Sequence, residues 1–266
     1  MKLDEATFAF KPAPIGFVAD LASAARALMC QPTVALVPIL LWWFPILTGS
    51  PNSTPKHPNP WLLVANIGMG LFLCGWAGAE RIFFLRHFGG KPVTLRHLLY
   101  LVKPFLGRFF MLALLFGLSL IAFALFVVFL FGSSPKVHPT RFRVAMMCFV
   151  VAADFALTFV PAALTFTTRS LGRALRIGVG MIRQTWPRCA LYVLCPPLAL
   201  NLNSLTYPAN LPVFQLLVAA GLVVVALLAK GSTVAFYLRE RPVSNDDGAA
   251  DFREVDEPIR DSVVDV

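Results

Sequence analysis

The residue whose chemistry stands out is Asp154. It lies near the middle of the apolar run VAMMCFVVAADFALTFVPAALTFTT, where an acid at mid-bilayer depth costs about 2.5–3.5 kcal/mol on insertion scales. Such a group needs a polar partner or a wet cavity. Two uses fit it: a site for a proton or cation, or a hydrogen-bonded tie between helices through Thr158, Asn66 or Ser119. Asp154, Asn66 and Thr158 therefore make up the candidate intramembrane polar site.

The second chemistry is electrostatic. In RSLGRALRIGVGMIRQTWPR, residues 169 to 188, a helical turn of 100° per residue places Arg169, Arg173, Arg176 and Arg183 within about 80° of one another. Leu171, Ala174, Leu175, Met181, Ile182 and Trp186 cover the other side. A basic amphipathic helix between two apolar runs belongs on a membrane surface facing anionic lipid, where each basic residue contributes about 1 kcal/mol. A shift of 80 residues superimposes Arg96 on Arg176, Lys103 on Arg183 and Arg108 on Arg188, with Leu95 on Leu175. That correspondence predicts an internal repeat of surface helix followed by crossing. The candidate lipid head-group contacts are accordingly Arg96, Lys103, Arg108, Arg169, Arg173, Arg176, Arg183 and Arg188. The same stripe would also arise if these charges did no more than fix topology.

Other chemistries find no pattern. Cys30, Cys74, Cys148, Cys189 and Cys195 lie in or beside apolar segments with no C-x-x-C spacing, as small buried hydrophobes do. His57, His87, His97 and His138 are scattered without i, i+4 pairing, so no metal is expected. No H-E-x-x-H, G-x-S-x-G, G-x-G-D or Walker A sequence occurs, so neither an enzyme nor a cofactor is called for.

The elements that would position these residues follow from composition. Of 266 residues 58% are hydrophobic and 14% charged, whereas soluble domains have roughly 45–50% and about 25%. This composition predicts an all-α integral membrane protein, since a crossing needs roughly 20 apolar residues. Six crossings are expected: Thr33 to Thr48, Trp61 to Ala79 ending at Glu80-Arg81, Phe109 to Phe131, the run around Asp154, Cys189 to Leu202, and Leu211 to about Ala229. Amphipathic surface helices precede several of them, the first carrying Phe17, Leu21, Ala24 and Leu28 on one side. Lys230 is expected to reach for head groups, and Pro196-Pro197 to bend the fifth crossing.

Charge orients the chain. Residues 1–240 carry 20 Lys/Arg and 6 Asp/Glu, while residues 241–266 carry 3 and 8. With both termini inside, 19 Lys/Arg fall on inner segments and 4 on outer loops, as the positive-inside bias requires. The nearest anions to these cations are phospholipid head groups, which sets nucleic acid aside. The chain thus divides into a polar segment (1–13), a six-helix membrane domain (14–240) and an acidic tail (241–266) that reads as disordered and cytoplasmic.

Three stretches, RHFGGKPVTLRHLLYLVKPFLGR, VVAADFALTFVPAALTFTTRSLGRALR and STVAFYLRER, give residues 16–241 a pattern that resembles the six-helix membrane domain of some bacterial glycerophosphodiester phosphodiesterases and related stand-alone membrane proteins. The resemblance implies architecture. That family's soluble phosphodiesterase barrel is not in this chain, so its activity does not carry over. Residues and resemblance together predict a non-enzymatic, lipid-interacting or assembly component of a bacterial-type inner membrane. Rival readings are a small secondary transporter using Asp154, and an anchor that recruits a cytoplasmic protein partner through the acidic tail.

Overall fold

The computed structural model describes residues 16–48, 60–91, 93–131, 139–195 and 212–240. The segment 1–13, the Pro196-Pro197 bend and the acidic tail lie outside the described residues. The helices are α1 (Phe17–Cys30), α2 (Thr33–Thr48), α3 (Pro60–Phe88), α4 (Leu95–Phe131), α5 (Pro139–Leu157), α6 (Val160–Phe166), α7 (Leu171–Thr185), a short stretch over 190–195 (α8) and α9 (Pro212–Glu240). No strand occurs among the described residues.

Four spans are long and apolar enough to cross a membrane: Val64–Phe88, Leu95–Leu130, Arg141–Phe166 and Leu216–Glu240. A fifth is available if α1 and the first part of α2, bent by 90° at their junction, are taken as one. At 16 residues α2 is short for a crossing of its own. The crossing expected over Cys189 to Leu202 is described only as far as residue 195.

Several boundaries differ from expectation. The second crossing does not end at Glu80-Arg81: α3 continues to Phe88 and carries that pair inside the bundle. The surface helix at Arg96 and the third crossing are one helix of 37 residues, with Pro104 inside it. At about 1.5 Å per residue α4 far exceeds a hydrocarbon core of roughly 30 Å, so its basic first turns have room beyond the apolar band. The fourth crossing is broken at Thr158-Phe159 into α5 and α6. The two segments of the expected repeat end differently, since α4 runs through Pro104 whereas α7 stops before Pro187.

The spans in α3 and α9 lie at the centre, whereas α4 buries Leu98, Leu101, Val102, Phe105, Phe109 and Leu112 in its first half and shows Leu114, Leu118, Ile121 and Leu125 outward. Between helices in lipid there is no hydrophobic driving force, so close packing of small residues holds them together. The contact between α3 and α4 shows this. A Cβ on Gly75 would fall 2.4 Å from the carbonyl oxygen of Val102, and one on Gly78 would fall 2.3 Å from the ring of Phe105. In the same way a Cβ on Gly178 of α7 would meet Val160 of α6 at 2.7 Å.

Polar links gather the chain's connectors. Tyr192 Oη donates to Asp20 at 2.5 Å and Arg239 also donates to Asp20. Arg188 pairs with Glu240 at 3.2 Å, and Thr167 and Tyr237 hydroxyls meet at 2.6 Å. Arg108 donates to the Leu164 carbonyl at 3.3 Å. The start of α1, the α6–α7 turn, the segment after α7 and the end of α9 therefore share one end of the bundle.

Gly75→Ala should destabilise the protein by about 1–3 kcal/mol, because the backbone oxygen of Val102 cannot rotate away from the new methyl. Gly70, where a Cβ meets nothing within 4 Å, is the control. Thermal unfolding in detergent would show a lower midpoint for Gly75→Ala and an unchanged one for Gly70→Ala.

Candidate functional site

The centre of the bundle holds charges that a helix end would ordinarily leave in water. Glu80, on α3, has a side chain 2% exposed, and Lys230 of α9 donates to it at 2.8 Å. Lys230 thus reaches an acid 150 residues away in sequence rather than lipid head groups. Asp154 is also not alone in carrying an acid into the helices, since Asp20 and Glu80 are both buried. Removing one member of a buried pair leaves the other uncompensated in a poor solvent.

Two cavities flank Lys230. The larger, of about 400 Å³, lies between α3, α4, the α5–α6 break and α9. Its polar lining is Arg81, Asp154, Thr158, Lys230 and Thr233; the rest is Leu73, Phe109, Leu112, Phe116 and other apolar or small side chains, with Cys74 among them. The smaller, of about 260 Å³, is lined by Trp76, Glu80 and Lys230 beside Pro38 and residues of α9. Trp76 is fully buried and its Nε1 has no hydrogen-bond partner among the described residues.

Around the larger cavity each polar group has a definite set of contacts. Arg81 donates to the carbonyl of Ala77, one turn back, and its guanidinium lies 5.4 Å from the centre of the Phe109 ring. Thr158 Oγ1 donates at 2.8 Å to the main-chain oxygen of Asp154, not to its carboxylate, while Thr158 N–H turns to Phe155 at 3.5 Å. Thr233 Oγ1 bonds the Ala229 carbonyl at 2.8 Å. Among the described residues no hydrogen bond or ion pair reaches the Asp154 carboxylate.

Of the sequence-predicted polar site, then, Asp154 and Thr158 line one cavity, whereas Asn66 is exposed on α3 and does not line it. Ser119 bonds Phe116 of its own helix at 2.7 Å. Sequence reasoning missed Asp20, Glu80, Arg81, Lys230 and Arg239 as interior charges. A signal existed for Asp20, which shares the i, i+4, i+7 stripe of Ala24 and Ala27, both fully buried.

The arginine stripe is seated as its periodicity requires. Ala174, Gly178, Met181 and Thr185 form the buried face of α7. Arg169, Arg173, Arg176, Arg183 and Arg188 are exposed, as are Arg96 and Lys103 on α4, and Arg108 is half-buried. Trp186, expected on the apolar side, is exposed. Compared with protein-family models, curated proteins and solved structures, the chain gives no match, so the site stands on its own geometry.

Lys230→Met should cost about 3 kcal/mol, because Glu80 stays buried without its cation. The double variant Glu80→Gln/Lys230→Met should recover much of that loss. Unfolding midpoints of the two singles and the double, in one detergent, would reveal the coupling; strictly additive losses would show that the pair does not interact.

Proposed function

We propose that this chain is a lipid-interacting integral membrane protein whose basic cytoplasmic-side helices hold anionic head groups. In this reading it has six crossings, the membrane-domain type seen beside some glycerophosphodiester phosphodiesterases, and both termini on the inner side of a bacterial-type inner membrane. The observation that carries the reading is the seating of α7. Its small residues Ala174 and Gly178 are buried, and its arginines form an exposed face at the end of the bundle where Arg188 meets Glu240. A row of guanidinium groups fixed beside membrane-length helices meets phosphate oxygens in good geometry, because Arg binds them through a planar fork. The gathering of connectors at one end supports a common leaflet for them.

A second reading, a small secondary transporter, is favoured by one observation: Asp154 lines a cavity at the broken α5–α6 span, a usual place for a transported ion or proton.

The reading is tested with the full chain in vesicles of phosphatidylcholine alone and of phosphatidylcholine with phosphatidylglycerol. Anionic lipid should raise the unfolding midpoint of the wild type. In Arg173→Gln/Arg176→Gln/Arg183→Gln that gain should fall by the equivalent of about 3 kcal/mol, at about 1 kcal/mol per basic residue. Equal midpoints in both vesicles for the wild type would sink it, and proton or solute flux abolished by Asp154→Asn would put the transporter in its place.

A further inference from the structure

Arg81 is the buried cation that the ion-pair network leaves over. Among the described residues the acids other than Asp154 are each paired with another cation, Glu80 with Lys230, Asp20 with Arg239 and Glu240 with Arg188. Arg81 is 9% exposed; its one hydrogen bond is to a main-chain oxygen and it lies over one aromatic face, while its nearest acid, Glu80, is the carboxylate that Lys230 holds. A guanidinium has five donors, and the Ala77 carbonyl takes only one nitrogen of Arg81. Across the same cavity stands the Asp154 carboxylate, which no donor among the described residues reaches. Two opposite charges thus line one chamber without closing on each other.

The remaining walls are apolar, and the volume of about 400 Å³ falls within the roughly 300–1,000 Å³ of ordinary ligand pockets. Ala113 lines the cavity and is exposed between Met111 and Leu114, both also exposed, so the chamber borders the apolar outer face of α4. A ligand suited to it has an anionic group, a cationic group and a hydrocarbon chain.

We propose that this cavity binds the head of a zwitterionic amphiphile, with phosphate oxygens on Arg81, a primary ammonium on Asp154 and an acyl chain leaving past Ala113. Arg81 provides the fork that phosphate fits. Asp154 provides selectivity, since an ammonium donates to a carboxylate and a hydroxylated or quaternary head does so less well. The proposal rests on the lipid-interacting reading and adds to the head-group contacts of α7 a second site, a chamber with its own head-group chemistry.

The test is native mass spectrometry of the full chain after exchange into equal amounts of phosphatidylethanolamine, phosphatidylglycerol and phosphatidylcholine. The wild type should retain phosphatidylethanolamine in preference to phosphatidylcholine, with phosphatidylglycerol held separately by the α7 arginines. Arg81→Gln should weaken retention of phosphatidylethanolamine by about tenfold, the effect of losing one charge-assisted contact. Asp154→Asn should keep lipid but lose the preference for the amine. Ala113→Trp, which touches neither charge, should block retention of phosphatidylethanolamine while helical circular dichroism stays that of the wild type, so a misfolded Arg81 variant does not decide the matter. The α7 triple variant should retain phosphatidylethanolamine as the wild type does. Undiminished phosphatidylethanolamine retention in Ala113→Trp, or an unchanged amine preference in Asp154→Asn, overturns the cavity proposal alone. A wild type that retains no phospholipid of any class overturns it together with the broader reading.

Discussion

A charge carried into hydrocarbon must be met inside the protein, and this constraint organises the bundle. Insertion tolerates an ionised side chain only where a partner, a backbone oxygen or a wet chamber replaces water. Here Lys230 on α9 meets Glu80 on α3, and Arg239 on α9 meets Asp20 on α1. Both pairs converge on α9, one near its middle and one near its end. The last helix is therefore fixed in rotation and height against two others. Apolar packing alone would not do that, because lipid tails solvate a leucine as well as another helix does.

Small residues make the pairing possible. Gly231 stands next to Lys230, and a Cβ there would fall 2.6 Å from Ala24 of α1 and 2.7 Å from Phe84 of α3. That close approach draws the three helices together beside the two ion pairs. Charge and glycine thus act jointly: one sets which faces meet, the other lets them meet closely enough for Nζ and Oε2 to lie 2.8 Å apart.

How much of this is legible in the sequence depends on the range of the cause. Helix type and the exposed arginine face of α7 come from composition and a 3.6-residue period, which are local properties. Boundaries near charge do not. Glu80-Arg81 after an apolar run reads as the edge of a membrane, and Lys230 reads as a residue reaching for head groups, because their partners stand on other helices. Whether such a charge lies at an interface or in the interior is decided by tertiary contact that no window of sequence contains. The stripe shared by Asp20, Ala24 and Ala27 is the exception, since an acid spaced onto an apolar face already demands an internal partner.

The break between α5 and α6 explains why Asp154 remains open to the cavity. In an unbroken helix the Asp154 carbonyl would accept from the Thr158 amide, but that amide turns to Phe155, and Pro161 supplies no donor to the Leu157 carbonyl four residues back. A carbonyl left bare in hydrocarbon costs several kcal/mol. The Thr158 hydroxyl takes the place of the missing amide at 2.8 Å, so the residue that sequence offered as a partner for the carboxylate is committed to the backbone instead. The carboxylate lines the chamber that Arg81 also lines, and no donor among the described residues reaches it. One threonine thus answers the Asp154 carbonyl at the break, and the acid's own side chain is left lining the cavity.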